Sequence, residues 1–219
     1  MKYLFLSLAL LHYSLRASSQ LTPATSEQTF ALVIGIANYE QDRLNLNFAN
    51  RDALAFADFL RSPSGGAVAE DNIRLLTDTQ ATTAAIYSGL KWLKKKTELA
   101  MIQDEKVTRK VIIYFSGHGD VENNTKANLG FLLSYNTPLN NYLNNAVRIS
   151  DLNDYAHTLS IDLQANVILI TDACHSGKLA GSDFSGTYLA GRDLALTRDR
   201  EIRIASCNPD QLSMEDARW

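Results

Sequence analysis

The sequence predicts an α/β fold, a three-layer α/β/α sandwich around a mostly parallel sheet. Two observations carry that prediction. Short runs recur five times after residue 30, three of them almost wholly apolar and β-branched, and segments with 3.6-residue periodicity separate them. Strands alternating with helices pair in parallel through right-handed crossovers. A third observation sets the scale: 219 residues, 46% hydrophobic and 21% charged, describe one globular unit rather than a disordered, collagen-like or multi-span membrane chain.

The first residues stand outside that unit. Lys2 precedes an apolar stretch, Tyr3 to Leu11, followed by Ala17-Ser18-Ser19, a pattern that reads as a secretory signal over 1–19 and predicts export (secreted or periplasmic). A mitochondrial-type presequence is the competing reading. The apolar stretch is too short for a membrane span. Residues 20–29 are polar, contain a proline and show neither period, as a linker does.

From residue 30 the elements follow in order. Strands are expected at Ala31–Ile36, Asn72–Leu76, Lys110–Phe115, Val167–Thr171 and Ile202–Ser206. Helical spacing is carried by Ala53, Phe56, Ala57 and Leu60, by Ile86, Leu90 and Leu93, and by Leu152, Tyr155, Ala156 and Leu159. The stretch 120–145 holds eight asparagines and one apolar patch, Gly130–Leu133, and reads as a long loop with a small hairpin. A second glycine-punctuated stretch covers 175–200. The chain stops at Trp219 soon after the fifth strand, which suggests a C-terminally truncated domain spanning 30–219.

Charge and cysteine content narrow the chemistry. With 21 basic and 24 acidic residues the net charge is −3, so no basic field exists to hold nucleic acid or an acidic membrane. Two cysteines cannot staple a fold of this size, and with four histidines they show no zinc-ligand spacing. No glycine-rich phosphate loop occurs.

Open parallel sheets present ligand sites at the carboxyl ends of their strands. Two strands here run into reactive groups: Val111–Phe115 leads to Ser116-Gly-His118-Gly119-Asp120, and Val167–Thr171 to Asp172-Ala-Cys174-His175-Ser-Gly177. If these strands are neighbours, a thiol and an imidazole converge, the minimum for nucleophilic catalysis. Gly117 and Gly119 are expected to let the chain turn sharply around His118, and the N–H groups of Gly119 and Cys174 to form an oxyanion hole. His175 competes with His118 for the role of base, but adjacent residues in an extended chain point to opposite faces. Cys207, without such context, reads as a core or strand-end residue; a disulfide between it and Cys174 would inactivate the site.

Tyr114-Phe-Ser-Gly-His-Gly119 followed by Asp172-Ala-Cys-His-Ser-Gly177 resembles the caspase-like cysteine peptidases of family C14, specifically their metacaspase and bacterial branch. Ala31–Ile36 with Tyr39, Leu46 to Asp52, and Ser206-Cys207-Asn208 resemble further parts of that family. The resemblance implies a six-stranded sheet, of which five strands are visible here, and an endopeptidase working through a thioester, with Cys174 as nucleophile and His118 as acid or base. It implies that Asp172 selects Arg or Lys as the substrate's P1 residue, assisted by Asp52 and Ser116. The partners are then protein or peptide substrates, with Lys178, Arg192, Arg198 and Arg200 as sites of self-cleavage or simply a solvated surface. No cofactor is required. Calcium, to which metacaspases respond, finds no ligand set here, and Asp120, Glu122 and Asp183 read equally well as solvated loop residues. The alternative to an enzyme is a non-catalytic scaffold of the same fold. Oligomeric state and natural substrate are not written in the sequence.

Overall fold

A computed structural model describes residues 27–122, 129–139, 141–143, 145–175 and 199–206, with only the backbone described at 121, 122, 174 and 175. The expected signal, most of the linker, Cys207, and the loop positions Lys178, Asp183, Arg192 and Arg198 lie outside these residues.

Among the described residues the centre is a seven-stranded mixed sheet. Five strands run parallel in the spatial order β2 (Ile73–Thr77), β1 (Glu27–Gly35), β3 (Thr108–Glu122), β6 (Asn166–His175) and β7 (Glu201–Ala205). β4 (Leu129–Leu133) lies antiparallel on the far end of β3, and β5 (Ala146–Arg148) lies antiparallel on β4. Gly119 is in register with His175 of β6 and with Leu132 of β4. Since β6 holds one side of β3, β4 takes the side that β1 leaves vacant beyond Gly35.

Helices cover both faces. α1 (Ala49–Arg61) packs Ala53, Ala57 and Leu60 against Ala31, Val33, Ile112 and Tyr114. Its approach to the sheet depends on Gly35, where a Cβ would come within 2.3 Å of the Ala49 carbonyl oxygen. The helix stops where Ser62-Pro63 follows, because a proline cannot continue the ladder. On the other face α2 (Thr83–Gln103), capped by the Thr82 hydroxyl on the Ala85 N–H at 3.2 Å, lays Ile86, Leu90 and Leu93 on the core. α3 (Ile149–His157) adds Leu152 and Ala156 and runs into a π-helical turn at Thr158–Asp162. Each fully buried Leu or Ile in these two layers stabilises the fold by about 2 kcal/mol.

Several expectations are corrected. β1 begins at Glu27, inside the supposed linker, because residues 27–29 pair with Thr108–Lys110 and Lys110 Nζ meets Glu27 Oε1 at 2.6 Å. The stretch expected as a long loop with a small hairpin holds the end of β3 and β4, which do pair antiparallel, but the hairpin belongs to the main sheet, with Phe131 and Leu133 fully buried and β5 following just after it. Asp120 is 2% exposed and accepts a hydrogen bond from Tyr142 Oη at 2.8 Å, so it is no solvated loop residue. The chain does not turn sharply at His118: β3 stays paired with β6 through Gly117 and His118, gains β4 on its other side from Gly119, and continues to Glu122, with Gly117 at a φ of 157° that favours glycine. Five visible strands become seven, since short strands that exist only through tertiary pairing carry little periodicity of their own.

Candidate active site

The two motifs lie on neighbouring strands in matched register. β3 and β6 pair from Lys110 with Asn166 to Gly119 with His175, which sets Ser116 beside Asp172 and His118 beside Cys174. Adjacent strands are about 4.8 Å apart. Nucleophile and base candidates therefore stand one strand spacing from each other at the carboxyl end of the sheet.

His118 is 7% exposed and gripped by the segment that follows β1. Its Nε2 lies 2.8 Å from the carbonyl oxygen of Leu44. A carbonyl only accepts, so Nε2 carries the proton in the neutral imidazole and Nδ1 is the basic nitrogen. The backbone N–H of His118 donates to Tyr39 Oη at 2.9 Å, and the two rings sit 5.3 Å apart at 38°. This segment is itself well tied: the Tyr39 N–H donates to Asn45 Oδ1 at 2.7 Å and the Leu46 N–H to the Ala37 carbonyl at 2.7 Å. The Asp78 carboxylate, on the turn after β2, accepts from the Ala37 and Asn38 N–H groups and from the Asn38 and Asn50 amides. Burial alone would raise the Asp78 pKa; the four hydrogen bonds outweigh it and hold the carboxyl below its usual range.

The other candidates gather on the α1 face. Ser116, buried, stands in register between Gly35 and Asp172. Asp52 lies in the first turn of α1, where the helix dipole favours a carboxylate. The register and the packing of α1 place these groups around Tyr114, whose phenol is pushed up to about 12, first by burial, then by the negative charges of Asp172 and Asp52, with a hydrogen bond from Ser116 pulling the other way. Tyr114 stacks on Phe56 of α1 at 4.6 Å. The site thus pairs a half-buried and an exposed carboxylate, Asp172 and Asp52, beside an aromatic wall, a combination suited to a guanidinium or ammonium.

A family model for the caspase domain of peptidase family C14 matches residues 28–218. The chain belongs to the caspase-domain family. This is a family of cysteine peptidases, and its substrate class is protein. No curated protein matches the chain. The match spans the whole sheet described above, so the observed mixed, mostly parallel sheet between helices is that of a caspase domain.

Within this caspase domain, the strands bring His118 beside Cys174 and Asp172 beside Ser116, with Asp52 reaching the same face from α1. Gly119 continues β3 next to His118; a Cβ there would make only ordinary contacts, the closest 3.5 Å from Ala173 Cβ, so packing among the described residues does not require a glycine. Arg200 sits in the turn before β7 and donates from Nη1 to the Gln164 carbonyl at 3.3 Å. Two contributors were not foreseen. Tyr39 carries a usable signal, an aromatic residue just past the end of a strand that neighbours the histidine strand. The Leu44 carbonyl carries none, since any residue supplies one. Among the described residues no group of three or more His, Cys, Asp or Glu side chains stands ready for a metal ion, and no helix is long and apolar enough to cross a membrane.

Proposed function

We propose that this caspase domain is an endopeptidase that cleaves after Arg or Lys through a Cys174–His118 dyad. The observation that carries the reading is the register of β3 on β6, which puts the two residues side by side at the edge where parallel sheets bind ligands. The Cys174 thiol gives its proton to the imidazole and the thiolate attacks the scissile carbonyl; the amides of Gly119 and Cys174 stabilise the oxyanion. His118 returns the proton to the leaving amine, a thioester remains, and water activated by the same imidazole hydrolyses it. The Leu44 carbonyl supports this cycle by keeping the imidazole oriented through both protonation states.

The basic P1 preference is supported by Asp172 and Asp52 on one face beside Ser116 and Tyr114. Tyr114 stays a neutral phenol at physiological pH, so the pocket's charge is that of its carboxylates. An acidic P1 would meet two like charges there.

The test uses fluorogenic peptides ending in Arg, Lys or Asp. Cleavage after Arg or Lys that disappears in Cys174→Ala is the expected result. Cleavage after Asp alone contradicts the pocket assignment, and turnover that survives Cys174→Ala contradicts the dyad.

A further inference from the structure

Three features of the molecule converge on one residue outside the dyad. The Tyr39 hydroxyl accepts the backbone N–H of His118 at 2.9 Å. The Tyr39 ring leans on the imidazole at 5.3 Å. The space for that hydroxyl exists because residue 117 has no side chain: a Cβ on Gly117 would sit 2.7 Å from Tyr39 Oη, and 3.2 and 3.3 Å from the Phe115 ring. Tyr39 is 3% exposed, and its own backbone is pinned by Asn45. The phenol is thus rigid on one side and bonded to the base's main chain on the other.

We propose that Tyr39 is a positioning residue for His118, its hydroxyl fixing the height and angle at which the imidazole meets Cys174, with Gly117 as the vacancy that admits it. The inference rests on the reading of His118 as the base of the dyad. A backbone N–H inside a strand ordinarily finds a neighbouring carbonyl. At His118 the strand on that side has ended, since β1 stops pairing at Gly35, and a side chain from the following segment supplies the acceptor instead. The acceptor therefore moves with the Tyr39 segment rather than with the sheet. Removing it leaves the His118 N–H to find water or to shift the strand, and sub-ångström displacement of a base changes its proton transfer to sulfur. The Leu44 carbonyl on Nε2 holds the other end of the same residue, so loss of Tyr39 pivots the ring about that bond instead of releasing it.

The experiment follows alkylation of Cys174 by iodoacetamide against pH, read at that residue by peptide mapping so that Cys207 does not contribute. It compares the wild type, Tyr39→Phe, Gly117→Ala, the double variant and His118→Ala. Tyr39→Phe keeps the ring and the fold, and is expected to move the profile toward that of His118→Ala, with kcat for peptide hydrolysis reduced about tenfold and KM within about twofold. Gly117→Ala, which crowds the hydroxyl and also strains a backbone at φ 157° against the Phe115 ring, should shift the profile at least as far as Tyr39→Phe, and the double variant should not return to the wild-type profile. A Tyr39→Phe profile that superimposes on the wild type overturns the proposal while leaving the dyad intact. A wild-type profile of an ordinary thiol near about 8.5, unchanged in His118→Ala, overturns the dyad and the proposal with it.

Discussion

His118 and Asp172 stand on neighbouring strands two register positions apart, yet the molecule treats them differently. The histidine is buried and bonded through its ring to Leu44 and through its backbone to Tyr39. The aspartate is half-buried and shares its surroundings with a second carboxylate, Asp52, itself exposed. A group that must pass a proton within a fixed distance gains from rigidity. A group that must receive a cation gains from negative charge that solvent and substrate can reach. On the proposed reading, the difference separates the part of the site that carries the reaction from the part that recognises the substrate.

Substitutions sharpen that contrast, and the largest effects belong to the rigid side. Cys174→Ala should leave no hydrolysis above background. His118→Ala should reduce kcat by about 10²- to 10⁴-fold and, because the ring is buried on Tyr39 and bonded to Leu44, also lower the thermal midpoint by several degrees, which steady-state kinetics below the transition and melting curves check together. On the recognition side Asp172→Asn should lower kcat/KM for Arg and Lys substrates by about 100-fold, and for a neutral P1 far less. Asp52→Asn, more exposed, should lower it by about tenfold. Equal losses for basic and neutral substrates would break the division between the two sides.

A smaller effect lies beneath the histidine segment. Asp78 has its folded pKa held below the unfolded value, so its stabilising contribution is present above about pH 4 and fades as the pH falls through the folded value. Asp78→Ala should cost about 2 kcal/mol at pH 7, a fall of about 5 °C in melting temperature, and the gap between the two proteins should narrow as the pH falls through the folded value. The smallest effect is expected far from both sides. Tyr87 Oη donates to Asp151 Oδ2 at 2.6 Å and ties α2 to α3, so Tyr87→Phe should cost about 1 kcal/mol and leave kinetics unchanged.

Strand centres were legible in the sequence because runs such as Val111–Phe115 and Val167–Thr171 are apolar and β-branched, as burial on both faces requires. Their ends were not. β3 reaches Glu122 and β6 reaches His175 because each finds a partner there, and pairing leaves no local mark. The same limit hid the place of β4 in the main sheet: its apolar patch suggested a small hairpin in a polar loop, not a strand continuing the core. At the site, the histidine and cysteine motifs were readable from side-chain chemistry, whereas Leu44 acts through a carbonyl and Tyr39 through a contact some eighty residues away in the chain.

Labelling the protein with a peptidyl acyloxymethyl ketone bearing Arg at P1, and locating the adduct by tandem mass spectrometry, tests the central claim most directly. The account predicts one adduct, on Cys174, formed far more slowly in His118→Ala and suppressed by Asp172→Asn. An adduct on Cys207, or labelling of Cys174 at the same rate with and without the imidazole, would contradict it.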